Sequence, residues 1–369
     1  MPHSTIQKVD QPKNSAPVAV AVAPAVAPAG PSEAELCQSA KAQYALVGKT
    51  VGPNGKYLLA GHPRQSNGRQ AKIWTAYLAD KNVPDLPAGF TGNIKNSKVK
   101  PLTIKLSPDA PRLAQENKNY DRVQTGLFSG MFVKKLEYLA SAPSSERSLD
   151  RTVAALVIES GESDLKALLA SRGGRPLAGR ALRDAACSAG QCIQGVHSSG
   201  LVWTDLKTEN FIVVGSDKDA GFVYDGSRDD GGKSGLKGVK GIDLESAIPR
   251  GGNPIDYSPE ACPPEFARVY AAGTGADFVL DYSYDMWSLG MMLFELSTGQ
   301  PYFGRATPAA VTSILCNPNF EVDVSAIPDP KLKDLIGKCL SLDPKKRPDI
   351  TGFLLHPFFT TTGFFSFSF

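Results

Sequence analysis

The segment Val202-Trp203-Thr204-Asp205-Leu206-Lys207-Thr208-Glu209-Asn210 places a carboxylate, an ammonium and an amide within six positions, Asp205 to Asn210. One short loop can therefore offer a base, a cation for phosphate oxygens and a metal ligand together, the inventory that phosphoryl transfer requires. The apolar run Phe211-Ile212-Val213-Val214 behind it reads as a strand that would anchor the loop. Two distant segments carry groups of matching chemistry. Lys105 lies in the alternating strand Leu102-Thr103-Ile104-Lys105-Leu106, from which an ammonium can meet phosphate from a rigid position, and Asp243 ends the apolar stretch Lys240-Gly241-Ile242-Asp243.

This loop resembles the catalytic loop of eukaryotic protein kinases, His-Arg-Asp-Leu-x-x-x-x-Asn. Asp205, Leu206, Lys207, Glu209 and Asn210 fit the pattern, whereas Trp203 and Thr204 stand where the family has His and Arg. The resemblance implies that Asp205 accepts the proton of an acceptor hydroxyl and that Lys207 stabilises charge on the phosphoryl group in transit. Leu-Thr-Ile-Lys resembles the family's Val-Ala-Ile-Lys strand, so Lys105 would hold the α/β oxygens of ATP and be oriented by Glu116 on the following helix. Asp243-Leu244-Glu245 resembles Asp-Phe-Gly, with Leu for Phe and Glu for Gly. It implies that Asp243 binds Mg²⁺ bridging the β/γ phosphates and that Asn210 completes the metal site. The Glu at the Gly position would restrict the backbone where kinases often switch.

The loop from Gly61 to Gly68 lies where the family's phosphate cover belongs, although Gly-x-Gly-x-x-Gly itself is absent. Glu159-Ser160-Gly161 resembles the hinge whose backbone binds adenine, with Ile158 behind the base and Asp164 on the ribose. Gly48-Lys49-Thr50 is not a P-loop, because Gln43 stands where its first Gly is needed.

Downstream, Ser258-Pro259-Glu260-Ala261-Cys262-Pro263-Pro264-Glu265 resembles the substrate-docking segment Thr-Pro-Glu-x-x-Ala-Pro-Glu. By that resemblance Ser258 contacts Asp205 and Lys207, Glu265 pairs with Arg347, and the acceptors are Ser/Thr hydroxyls of protein substrates. Asp285-Met286-Trp287-Ser288-Leu289-Gly290 matches the family's Asp-x-Trp-Ser-Leu-Gly helix start, with Asp285 bracing the catalytic loop. Trp203 is expected to stack with Leu244 and Tyr120. Thr204 cannot pair with a phosphate as Arg would, so activity independent of activation-loop phosphorylation is expected. The departures at Trp203, Thr204, Leu244 and Glu245 motivate a second reading, a pseudokinase scaffold that binds nucleotide or a partner without catalysis. A small-molecule kinase is disfavoured by the docking segment, Asp285 and Arg347.

The elements that must position these groups form an α+β, two-lobed kinase-like fold. A small β-rich lobe is expected over about 50–160, with strands Tyr57–Ala60, Lys72–Tyr77, Leu102–Leu106, Phe132–Leu136 and Ala155–Glu159 and one helix over Ala110–Gln124. A larger helical lobe follows over about 161–360, with helices at Leu177–His197, Tyr284–Thr298, Pro308–Cys316, Pro330–Leu340 and Pro348–Leu355. Loops 83–98 and 215–239 read as insertions, residues 1–40 as an Ala/Val/Pro-rich disordered leader, and 361–369 as a Phe/Ser-rich tail.

Composition sets the remaining bounds. With 369 residues, 42% of them hydrophobic, the chain can bury a sizeable core, and a net charge of +3 gives no field that favours nucleic acid or an anionic membrane. The six cysteines show no Cys-x-x-Cys spacing, which points to reduced thiols in an intracellular, cytoplasmic protein, with a plastid as the alternative given the acid-poor leader. No apolar run reaches the ~18 residues of a membrane span, and no heptads or repeats suggest an oligomer, so a monomer is expected.

Overall fold

The computed structural model describes residues 50–65, 71–78, 101–144, 152–214, 236, 238–254 and 257–360. Gly68, the leader, the 83–98 loop, most of the 215–239 loop and the tail lie outside the described residues.

The first part of the chain is built on strands β1 (Thr50–Val51), β2 (Tyr57–Gln65), β3 (Lys72–Leu78), β4 (Leu102–Ser107), β5 (Lys135–Pro143) and β6 (Thr152–Glu159). Helix α1 (Ala110–Gln124) lies between β4 and β5 in the chain. Among the described residues these strands form one sheet in the order β1-β2-β3-β4-β6-β5, with antiparallel pairing throughout. Strand β6 shows how alternation divides the core. Val153, Ala155 and Val157 face a cluster with Val51, Leu59, Trp74, Ile104 and Leu106, while Ala154, Leu156 and Ile158 face the larger core with Leu113, Tyr120 and Val123 of α1.

The second part continues through β7 (Ser163–Asp164), α2 (Leu165–Ser171), α3 (Gly179–Ser198), β8 (Leu201–Trp203), β9 (Phe211–Val213), β10 (Val239–Gly241) and β11 (Ala247–Pro249). Helices α4 (Pro264–Ala271), α5 (Ser283–Thr298), α6 (Pro308–Cys316), α7 (Pro330–Cys339), α8 (Ile350–Leu354) and α9 (Pro357–Thr360) complete it. Helix α5 is buried on every face, from Tyr284 to Ser297, and packs against α3 and α7. The short pairs β8–β11 and β10–β9–β7 hold the loops between them against this helical body.

Helix α1 has the expected bounds because Asp109 caps it, accepting from Arg112 N at 3.1 Å, and Pro111 sits in its first turn. Other expectations need correction. Strand β2 does not stop at Ala60 but runs to Gln65 through an irregularity between Ala60 and Arg64, so Gly61 lies inside a strand rather than opening a loop. Phe132 and Val133 are not the start of β5. They bridge to Gly241, and Phe132 packs against Trp203, which leaves the strand to begin at Lys135. Helix α3 starts at Gly179 rather than Leu177, whose amide donates to Leu296 O at 2.8 Å, and Gly179 enters at φ 54°. Helices α2 and α4, of seven and eight residues, were too short for apolar spacing to reveal. Cys187, Cys192, Cys262, Cys316 and Cys339 are all free thiols. No helix among the described residues is long and apolar enough to cross a membrane.

Candidate active site

Lys105 sits mid-strand in β4, paired with Ile73 of β3 on one side and Leu156 of β6 on the other, so its backbone is held by neighbours on both edges. Its ammonium meets three carboxylates: Glu116 Oε2 at 2.8 Å, Asp243 Oδ1 at 3.0 Å and Glu245 Oε2 at 2.5 Å. Their charges, Asp243 first, hold the Lys105 pKa well above its ordinary value against the opposing effect of burial. Burial pushes the Glu116 carboxyl up to about 7; Lys105 pulls it down and Asp243 adds to the rise. Glu245 also accepts from Arg112 Nε of α1.

Asp243 and the turn after it are shaped for this meeting. Asp243 adopts a left-handed conformation, φ 60° and ψ 65°, which a non-glycine residue adopts only when its surroundings impose it. The chain then makes one 3₁₀ turn over Leu244–Ser246. Asn119 Nδ2 fixes that turn by donating to both Leu244 O and Ala247 O at 2.8 Å.

The loop after β8 holds the second group. Asp205 Oδ2 accepts from Lys207 Nζ at 2.8 Å, Asp205 Oδ1 accepts from the Ser258 hydroxyl, and Lys207 Nζ lies 3.1 Å from Ser258 Oγ. Asn210 Nδ2 donates to Asp205 O at 2.7 Å, which leaves the amide oxygen as its remaining polar atom, and its own carbonyl accepts from Ile242 N at 2.9 Å. That backbone bond sets Asn210 beside the segment bearing Asp243. An amide oxygen and a carboxylate from adjacent segments are hard donors of the kind Mg²⁺ takes, so the residues present fit that ion.

Below the loop, Asp285 Oδ2 accepts from Trp203 N at 2.7 Å and lies 3.0 Å from His197 Nε2. Trp203 lies in the same buried cluster as Leu244 and Tyr120, with Phe132 and Phe211 as its ring neighbours at 6.4 and 5.4 Å between centroids, and its indole N–H donates to Asp243 O at 3.1 Å. The tryptophan thus joins the two metal-side segments, which no spacing in the sequence revealed. Thr204 is buried and its hydroxyl donates to Ser246 O at 3.0 Å.

The hinge residues are found around the end of β6. Glu159 bridges to Lys240 of β10 at 2.9 Å, and its amide donates to Lys134 O at 2.8 Å. Gly161 lies so close to Ile212 that a Cβ there would collide with its side chain. Asp164 is not a free carboxylate: it caps α2, accepting from Ala167 N at 2.6 Å. Glu265 and Arg347 make a two-pronged pair at 2.7 and 2.8 Å, with Arg347 also donating to Ser341 O and Ser283 O and stacking over Trp287.

Sequence reasoning missed the part played by Arg112, Asn119 and Glu245. Arg112, Glu116 and Asn119 fall at i, i+4 and i+7 and make one polar stripe along α1, a signal present in the sequence whose partner turn lies more than 120 positions away.

Comparison with known proteins places the chain among kinases. Residues 176 long in alignment are 31% identical to the serine/threonine-protein kinase AfsK of Streptomyces coelicolor, covering 47% of this chain and 19% of that protein. The dual specificity protein kinase Ttk of Danio rerio is 27% identical over 172 residues, 46% of this chain and 16% of its own. Calcium-dependent protein kinase 29 of Arabidopsis thaliana is 28% identical over 177 residues, 45% of this chain and 27% of its own. The chain thus spans less than a third of the length of each of these relatives. The family profile described as the protein kinase domain matches residues 144–359, more than half of the chain, and this protein belongs to the protein kinase family.

Proposed function

We propose that the chain is an active protein serine/threonine kinase that transfers the γ-phosphoryl group of MgATP to Ser/Thr hydroxyls of protein substrates. The observation that carries this reading is the triangle of Asp205, Lys207 and Ser258, in which a buried carboxylate already accepts a hydrogen bond from a serine hydroxyl. ATP and Mg²⁺, which the family generally uses, would supply the transferable phosphoryl group and the cation that neutralises its oxygens.

This chain's residues divide the remaining tasks. Asp205 orients the acceptor hydroxyl and takes its proton, as its Oδ1 accepts from the Ser258 hydroxyl. Lys207 stays on Asp205 Oδ2 and sets positive charge beside the reacting oxygens. Lys105 would hold phosphate oxygens, Asn210 and Asp243 would hold the cation, and the Glu159–Gly161 hinge would take the base. With Asp164 Oδ1 engaged as a helix cap, its other oxygen is the one left for a ribose hydroxyl. Thr204, closed onto Ser246 O, gives an incoming phosphate no cation, which supports activity without activation-loop phosphorylation.

The scaffold reading rests on a specific observation as well: the three N–H donors of Lys105 face three carboxylates. Radiolabelled transfer from MgATP to generic Ser/Thr acceptor proteins separates the two. Wild type should transfer label, and Asp205→Asn should lose it by roughly 10²–10⁴-fold while still binding nucleotide. Nucleotide binding by wild type with no transfer to any acceptor would replace the kinase reading with the scaffold.

A further inference from the structure

The carboxylates around Lys105 are not equivalent. The Glu116 and Glu245 side chains are 2% and 4% exposed, whereas that of Asp243 is 28% exposed, so two partners are sealed behind the lysine and one faces the open side. An ammonium has three N–H donors and no acceptor, so a phosphate can reach Lys105 only when one of the three withdraws. Asp243 is the one suited to withdraw, because a divalent cation would draw its oxygens away.

Glu245 is held as firmly as Glu116. The left-handed Asp243 reverses the chain, Asn119 clasps the carbonyls on both sides of the turn, and Arg112 holds the second oxygen of Glu245. All three contacts from α1 come from one stripe of that helix. We infer that Glu245 is a positioning residue, a second lasting anchor of Lys105 that shares with Glu116 the task of holding the ammonium for nucleotide phosphate. Through Arg112 and Asn119 the same turn fastens α1 against the Asp243 segment, so the Lys105–Glu116 pair is assembled by contacts within the fold. The part concerning nucleotide rests on the kinase reading; the anchoring of Lys105 does not.

Two readouts keep those parts separate. The first is the affinity for MgATP, measured by calorimetry for wild type, Lys105→Met, Glu116→Gln, Glu245→Gln, Glu245→Asp and the Glu116→Gln/Glu245→Gln double variant. Each single Gln variant should lose only about threefold, far less than Lys105→Met, and the double should lose roughly tenfold more than the product of the singles. Glu245→Asp should recover part of the loss seen in Glu245→Gln. The second readout, on nucleotide-free protein, is the rate at which acetic anhydride acetylates Lys105, read by mass spectrometry. Lys105 should stay protected in each single variant and become several-fold more reactive in the double.

Should Glu116→Gln alone bind MgATP as poorly as Lys105→Met, or expose Lys105 as fully as the double variant, Glu245 is no anchor. Tighter MgATP binding by Glu245→Gln would likewise overturn the proposal, since Glu245 would then compete with phosphate for the lysine. Failure of wild type to bind MgATP would remove the kinase reading, while the acetylation pattern would still decide the anchoring of Lys105.

Discussion

Two buried ion assemblies in this protein use the same kinds of group and differ in how far they are open. At Arg347 one cation meets one carboxylate, Glu265, by two bonds, and the other donors reach the carbonyls of Ser341 and Ser283. The guanidinium side chain is 0% exposed. At Lys105 two cations, Lys105 and Arg112, meet three carboxylates, Glu116, Asp243 and Glu245. Asp243 is the most exposed of the three. The closed pair ties helices together, whereas the Lys105 cluster keeps one carboxylate on its open side, where ligands can reach it.

The same substitution in the two places should therefore give different results. Glu265→Gln leaves the Arg347 charge buried without its anion and should cost about 3–5 kcal/mol, lowering the melting temperature by on the order of 10 °C. Glu245→Gln removes one of three clustered carboxylates and should change stability by less than ~1 kcal/mol, because the desolvation and repulsion it relieves offset the contacts it loses. Thermal and urea melts of the two variants side by side check this, and equal losses would break the comparison. An effect between these two is expected at Asp164, where removing the cap of α2 by Asp164→Ala should cost about 1 kcal/mol in the same melts. A loss in MgATP affinity beyond what that destabilisation explains would show that Asp164 also meets the nucleotide.

The second assembly was also the harder one to read in the sequence. The Glu265–Arg347 pair could be anticipated because both residues sit in recognisable motifs, Pro-Pro-Glu and Asp-Pro-Lys-Lys-Arg-Pro. Lys105 with Glu116 and Asp205 with Lys207 and Ser258 could be anticipated for the same reason, and the structure brings each set within hydrogen-bonding distance. Glu245 was legible only as a departure, a bulky residue where the family has glycine, and its expected effect was on backbone freedom. Its actual contacts depend on a left-handed Asp243, which has no local signature, and on two side chains of a polar stripe whose partner turn lies far away in sequence. Long, capped elements such as α1 and α6 were readable to the residue. Gly61 was misplaced because the irregularity within β2 extends that strand past the point where alternation ends, and Phe132 was not foreseen beside Trp203 because it comes from a stretch that reads like a strand.

The most direct test is the metal dependence of nucleotide binding. If the exposed carboxylate of Asp243 is a divalent-cation seat for nucleotide, wild-type protein should bind ATP at least about tenfold more tightly in Mg²⁺ than in EDTA, with the difference lost in Asp243→Ala. Equal affinity with and without the metal, or a metal effect that survives Asp243→Ala, would contradict it.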